Sequence, residues 1–205
     1  MGKKIVLLIL ALALVGLLVA AGILYKDLGE EMAPDQLAVQ TQPATEPTTA
    51  PTTPAETTLP PETTEAQIVL APDFTVYDLE GNLHKLSDFF GKPIVVNFWA
   101  SWCGPCKMEM PDFQEKYLEL GEEVQFLVIN LTDGQRETVE IASAFIAEQG
   151  YTFPVFYDTT MEAANTYGVY SIPTSYFINA KGEPVAQAQG AISAETLQRG
   201  IDMIS

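Results

Sequence analysis

The 205-residue chain has little positive charge, one histidine and two cysteines, and each shortage excludes a class of protein. Ten basic against 27 acidic side chains give a net charge of -17, and nucleic-acid binding needs the opposite balance, with clustered Lys and Arg. A Ser-His-Asp or Cys-His catalytic site would have to use His84, which follows a predicted hairpin turn and is interpreted as a surface residue. Two cysteines cannot form a disulfide scaffold, so a hydrophobic core must hold the fold.

One long uncharged run stands near the N-terminus. Ile5 to Tyr25 contains 21 residues without a charge, and a helix of that length spans about 31 Å, roughly the thickness of a bilayer core. A secretory signal peptide is the alternative, although its apolar region usually has only about 7–15 residues. Lys3 and Lys4 precede the run and favour a cytoplasmic start. We therefore predict a transmembrane anchor at 1–26, with the rest of the chain outside.

The next segment, 27–67, has low complexity. Between Thr41 and Thr64 there are ten Thr, six Pro and three Glu, and Leu59 is the only large apolar residue. Such a composition buries too little surface to offset the entropy of ordering. We predict a disordered stalk that serves as a tether or a plain spacer.

Residues 68–205 form the predicted globular domain, in which strand and helix patterns alternate. Strands are predicted at 74–79, 83–86, 93–100, 124–131, 153–157, 175–179 and 184–189, and helices at 106–120, 137–149, 161–167 and 194–203. This alternation, closed by a hairpin and a helix, predicts one α/β sandwich without internal repeats.

Both cysteines lie in the sequence Trp102-Cys103-Gly104-Pro105-Cys106, between a buried strand and the following helix. A cysteine at a helix N-terminus faces unpaired N–H groups and the positive end of the helix dipole, which stabilise a thiolate. The spacing brings the second sulfur within reach of the first. We predict Cys103 as the exposed attacking thiolate and Cys106 as the thiol that resolves the mixed disulfide.

Three other interpretations of the cysteines remain open at this point. Half of a zinc site would need two further ligands, and His84 is the one histidine. A structural disulfide that closes so short a loop would stabilise the fold little. A peroxidatic cysteine would be expected as a lone reactive thiol, whereas here a tryptophan and a second cysteine flank it.

The segment from Val95 to Pro111, VVNFWASWCGPCKMEMP, resembles the active site of thioredoxin-like proteins, most closely the membrane-anchored TlpA/ResA-like branch. Three further segments match in order: 71–74, 86–89, and 167–169 with 172–174. The resemblance implies a thioredoxin-like three-layer α/β/α sandwich with a mixed central sheet. It covers nearly all of residues 71–203.

The resemblance also implies roles for individual residues. Pro173 matches the cis-proline of the family, which would expose the backbone of Ile172 to a substrate beside Cys103. Glu109 matches an acidic residue of the ResA-like branch and is expected to exchange protons with Cys106, unless it is a solvated helix residue. Asn97 replaces the buried aspartate of cytoplasmic thioredoxin and cannot shuttle a proton. The predicted substrate groove consists of Trp102, Gly104, Pro105, Ile172 and Pro173.

The predicted function is that of a membrane-tethered, extracytoplasmic thiol-disulfide oxidoreductase that needs neither a cofactor nor a metal. The Gly-Pro pair between the cysteines resembles that of reducing members, and the resemblance implies a membrane thiol electron donor and protein disulfide substrates. Cytochrome c maturation or repair of envelope proteins is the expected setting. The alternatives are a non-enzymatic docking module with this fold and a thiol peroxidase.

Overall fold

The computed structural model describes residues 37–39 and 69–205. The predicted anchor and most of the predicted stalk lie outside these residues. Within the described part, no helix is both long and apolar enough to cross a membrane.

One mixed sheet joins all strands of the described residues in the order β1-β8-β7-β4-β5-β6-β2-β3. The strands are β1 (Ala38–Val39), β2 (Thr75–Tyr77), β3 (Leu83–Lys85), β4 (Ile94–Trp99), β5 (Gln125–Asn130), β6 (Val155–Tyr157), β7 (Thr174–Ile178) and β8 (Pro184–Gln189). The pairs β4–β5 and β5–β6 are parallel, and the other pairs are antiparallel. The predicted strands and mixed sheet are thus confirmed, with shorter bounds at several ends.

Helices cover both faces of this sheet. They are α1 (Gly104–Leu120), α2 (Val139–Gln149), α3 (Glu162–Thr166) and α4 (Ala194–Asp202), with a 3-10 helix at Leu86–Phe89. Every residue of β4 is buried, and its side chains alternate between two apolar clusters. One cluster packs under α1, α2 and α4, and the other under α3 and the 3-10 helix. β4 is therefore the central strand that carries the active-site turn at its end.

Two helix starts differ from the prediction. α1 begins at Gly104 rather than Cys106, because Cys103 acts as the N-cap and Pro105 fits the first helical turn. α2 begins at Val139, where the Thr138 side chain caps the amide of Ile141. Glu137, predicted as the first helical residue, therefore precedes the helix and is fully buried.

A short strand occurs where the sequence predicts a stalk. Ala38 and Val39 pair with Gln187 and Ala186 at the edge of the sheet, and Leu37 packs against the apolar cluster under α1. An edge strand offers unpaired backbone groups to any extended segment. The composition of 27–67 gave no strand signal, because three residues are too few to show a periodicity.

Helix α4 approaches β7 so closely that Gly200 cannot be replaced without cost. A Cβ at Gly200 would overlap the ring of Phe177, which is fully buried. We expect Gly200→Ala to lower the free energy of unfolding by about 2 kcal/mol through overpacking, although alanine is normally the better helix former. Urea unfolding of the oxidised protein measures this change.

Gly104→Ala is the matched control, since nothing lies within 4 Å of a Cβ at that helical position. Equal unfolding midpoints for the two variants would contradict the close packing of α4.

Candidate active site

The turn between β4 and α1 places both cysteines at the helix start. Cys103 and Cys106 form a disulfide with an S–S distance of 2.05 Å and Cα atoms 5.3 Å apart. Cys103 has extended backbone angles (φ -80°, ψ 110°) and is the N-cap residue of α1. The predicted pairing of the two cysteines is therefore present.

Cys103 is less accessible than the sequence predicts. It is 4% exposed, and Cys106 is fully buried. The Cys106 backbone N–H donates to the Cys103 sulfur over 3.2 Å. The Ile172 carbonyl oxygen lies 3.6 Å from the same sulfur. Because this sulfur carries no proton in the disulfide, the two atoms are in contact but form no hydrogen bond. A small part of the Cys103 surface therefore remains exposed, beside the loop that contains Ile172. The spacing of residues in the sequence could not predict the position of this loop.

That loop contains the predicted cis-proline. The Ile172–Pro173 peptide bond is cis, and the Pro173 carbonyl accepts a hydrogen bond from Gly190 N over 2.8 Å. Ile172 is half-buried and lies beside the disulfide. Tyr170, two residues earlier, is 97% exposed, and no motif in the sequence marks it. The loop supplies one wall of the predicted groove.

The other residues of the predicted groove lie at the helix start. Gly104 and Pro105 are exposed, and Trp102 is 41% exposed. The guanidinium of Arg136 stacks on the Trp102 ring, 3.9 Å from its centroid. This cation–π contact joins the active-site turn to the loop before α2. No sequence pattern predicts this contact, because 34 residues separate the partners.

Glu109 lies on the buried face of α1, one turn beyond Cys106. It is 2% exposed, so the solvated alternative is wrong. Asn97 Nδ2 donates to one carboxyl oxygen over 2.8 Å, and Ile192 N donates to the other over 3.0 Å. Burial raises the pKa of Glu109 to about 8, although both hydrogen bonds oppose the shift. The carboxyl group can therefore bind and release a proton near neutral pH.

Asn97 occupies β4 and orients this carboxyl group. Its side-chain amide is buried and also donates to Ser175 Oγ over 3.0 Å. Rotation of the amide by 180° would present its oxygen to a protonated Glu109, and the Ser175 hydroxyl could then donate instead. The pair thus accommodates both protonation states of Glu109.

Three further side chains lie on the active-site segment 95–111. Trp99 and Met110 are buried in the core, whereas Met108 is 70% exposed. His84 is half-buried against Phe156 rather than lying free on the surface.

No cluster of three or more His, Cys, Asp or Glu side chains with metal-binding geometry occurs in the residues that the structure describes. Within the described residues, the candidate site combines the Cys103–Cys106 disulfide, the buried Glu109 carboxyl group and the neighbouring cis-proline loop. Residues 69–186 match the AhpC/TSA family.

Curated relatives agree with this assignment. The thiol-disulfide oxidoreductase ResA of Geobacillus kaustophilus is 35% identical over 135 residues, which is 65% of this chain and 75% of ResA. Two solved structures are also similar. StoA from Bacillus subtilis has 30% identity and a TM-score of 0.56, and the alignment covers 64% of this chain and 97% of StoA.

A thiol:disulfide interchange protein of the thioredoxin family from Chlorobium tepidum has 28% identity and a TM-score of 0.59. The alignment covers 68% of this chain and 98% of the Chlorobium chain. Fold and site together define a thioredoxin-fold thiol-disulfide oxidoreductase. The chain belongs to the AhpC/TSA family and is similar to the thiol-disulfide oxidoreductase ResA.

Proposed function

We propose that this protein reduces disulfides of other proteins outside the cytoplasm while it is tethered to the membrane. The observation that carries the proposal is the buried Glu109 carboxyl group on the same helix face as Cys106. Such a group is suited to accept the proton of the resolving thiol.

The first step is attack on the substrate. The Cys103 thiolate attacks one sulfur of the substrate disulfide; a Cys103–substrate disulfide forms and the second substrate sulfur leaves as a thiolate. The Cys106 N–H, 3.2 Å from the Cys103 sulfur in the oxidised protein, stabilises the attacking anion. The groove between Trp102 and the cis-proline loop receives the substrate backbone.

The second step releases the substrate. Glu109 takes the Cys106 proton, and the Cys106 thiolate attacks the Cys103 sulfur. The mixed disulfide breaks, the Cys103–Cys106 disulfide forms, and the first substrate sulfur, which was bonded to Cys103, leaves as a thiolate. Two electrons have then passed from the enzyme dithiol to the substrate.

The surroundings of the cysteines support reduction as the direction. The cations next to the site are engaged with aromatic rings: Lys107 Nζ lies 5.2 Å from the Phe145 centroid, and Arg136 stacks on Trp102. An ionised Glu109 would disfavour a thiolate on Cys106. A dithiol whose reduced form is weakly stabilised has a low reduction potential and acts as a reductant.

An oxidising compartment requires a source of electrons for such a reductant. We propose a membrane thiol carrier as the donor, and cytochrome c maturation or repair of envelope proteins as the setting. The uncharged run at 5–25, with Lys3 and Lys4 before it, supports a single-span anchor with the domain on the extracytoplasmic side. Residues 27–36 would supply the length between this anchor and strand β1, which pairs at the edge of the domain sheet.

The reduction potential of the Cys103–Cys106 couple tests the direction. We expect a value below about -230 mV, towards the thioredoxin range, when the protein is equilibrated with dithiothreitol or glutathione buffers. The fraction of reduced cysteines is read by thiol alkylation and mass measurement.

A value above about -180 mV, nearer the isomerase and oxidant range, would instead make the protein a disulfide donor. Lys107→Gln is the matched control variant. Because Lys107 lies on a ring rather than on sulfur, its removal is expected to leave the potential nearly unchanged.

A further inference from the structure

A second buried carboxyl group, Glu137, lies behind the active-site turn. It is fully buried, yet no step of the exchange chemistry uses it. One of its oxygens accepts from Ser101 N over 2.7 Å, and the other accepts from Ser101 Oγ over 2.6 Å. Both hydrogen-bond donors of Ser101, two residues before Cys103, are therefore bound to Glu137.

The contacts of Glu137 continue into the sheet. Asn130 Nδ2 donates to the same oxygen as Ser101 N, over 2.7 Å, and Asn130 Oδ1 accepts from Thr132 Oγ1 over 2.9 Å. Asn130 is the last residue of β5 and pairs with Trp99, the last residue of β4. Glu137 thus connects the turn after β4 to the end of the neighbouring parallel strand.

Glu137 is itself held rigidly. Asp133 Oδ1 accepts hydrogen bonds from the backbone amides of Gln135, Arg136 and Glu137 over 2.8, 2.8 and 2.9 Å. Thr138, the N-cap residue of α2, follows immediately. Arg136, the residue before Glu137, covers the exposed side of Trp102. The segment 133–137 therefore contacts the active-site turn on two sides, through Glu137 at Ser101 and through Arg136 at Trp102.

We propose that Glu137 is a positioning residue for thiol-disulfide exchange, holding the Ser101–Trp102 turn so that the Cys103 sulfur meets the Cys106 N–H. This role rests on exchange by Cys103 and deepens the proposed function. The side chains that donate to Glu137, those of Ser101 and Asn130, are uncharged. The charged side chains that flank it are Asp133 and Arg136 of its own segment.

This role requires a side chain long enough to bring two hydrogen-bonding atoms to Ser101, whether or not it is charged. Glu137→Asp would keep the charge, but its side chain is shorter by one methylene group and would not extend to Ser101. Glutamine would keep the length, because its oxygen can accept from Ser101 N and Asn130 while its amide donates to Ser101 Oγ, which is able to accept. The two substitutions therefore separate reach from charge.

The test compares Glu137→Asp and Glu137→Gln in the reduced full-length protein. Two quantities are measured: the rate of attack on a small aromatic disulfide, and the pKa of the Cys103 thiol from the pH dependence of alkylation. We expect Glu137→Asp to lower the rate by about tenfold or more and to raise the thiol pKa, because hydrogen bonds that place the attacking group are lost. Glu137→Gln should stay within about threefold of the unmodified protein.

The exposed Glu140 on α2 supplies the matched control, Glu140→Asp, which should change neither quantity. A defective Glu137→Gln beside an intact Glu137→Asp would overturn the proposal, because charge would then be the cause. An unfolding midpoint that falls in Glu137→Asp with rate and thiol pKa unchanged would overturn it as well, since Glu137 would then act only on stability.

Ser101→Ala keeps the test decisive if Glu137→Asp fails to fold. It removes one of the three hydrogen bonds and leaves Glu137 in place, and we expect a smaller loss of rate with the same upward change in thiol pKa. Unchanged values in Ser101→Ala would contradict the proposal. These differences between variants do not depend on the absolute reduction potential of the Cys103–Cys106 couple. A potential in the range of disulfide donors would therefore refute the proposed direction of electron transfer and would leave the role of Glu137 unaffected.

Discussion

Cys103→Ser is expected to abolish disulfide reduction, with turnover lowered by at least about a thousandfold. A serine hydroxyl is not ionised at neutral pH and cannot form the mixed disulfide. Cys106→Ser should behave differently, because Cys103 can still attack but nothing resolves the product. The Cys103–substrate disulfide then accumulates, and mass measurement of the non-reduced protein detects it after incubation with a protein disulfide.

Met108→Ser is a suitable control for both variants. Met108 lies on the same helix, is 70% exposed and belongs to neither cysteine's surroundings, so full turnover is expected. Trapping by Cys103→Ser but not by Cys106→Ser would reverse the assigned roles. If Cys103→Ser left the cellular function unchanged, the protein would act as a docking module, and efficient hydroperoxide turnover by the reduced protein would favour a peroxidase.

The parts of this protein that sequence predicts well are those with a local cause. The apolar run of β4 predicts a strand covered on both faces, and all six of its residues are buried. A Cys-Gly-Pro-Cys sequence between such a strand and a helix predicts two cysteines one helical turn apart with their sulfurs within reach of each other, and the observed S–S distance is 2.05 Å. Neighbours in sequence determine both features.

The burial of the active-site side chains has a different origin. Glu109 is enclosed by Asn97, 12 residues earlier, and by the backbone of Ile192, 83 residues later. Cys103 is covered by the Ile172 loop, 69 residues away. Because only the tertiary fold brings these segments together, the sequence could suggest an acid near Cys106 but could not give its pKa.

Glu137 shows how a local rule can mislead. An acidic residue before an amphipathic run is typical of a solvated first helical turn. Here the Asp133 turn rotates the backbone so that Glu137 enters the protein and meets Ser101, 36 residues earlier. The signal that could have found it is the sequence Asp133-Gly134, a turn-forming pair placed just before the helix cap.

Glu109→Gln is expected to remove the part of the pH dependence of the free energy of unfolding that the Glu109 carboxyl group causes. Burial raises the pKa of Glu109 from 4.5 to about 8, so the folded protein holds this proton more tightly than the unfolded chain. The contribution to the free energy of unfolding is therefore greatest below about pH 4.5, falls as pH rises towards about 8, and is constant above that. The total fall is up to about 5 kcal/mol, and urea unfolding of the oxidised protein between pH 5 and pH 9 measures it.

The same variant should resolve mixed disulfides about a hundredfold more slowly at neutral pH, because Cys106 loses its proton acceptor. Glu115→Gln is the control: Glu115 lies on the same helix but is exposed, so both the pH profile and the resolution rate should match those of the unmodified protein. A Glu109→Gln profile parallel to that of the unmodified protein would mean that Glu109 stays ionised on folding. Since an ionised carboxylate of ordinary pKa would be a poor proton acceptor for a thiol, that result would remove Glu109 from the resolving step as well.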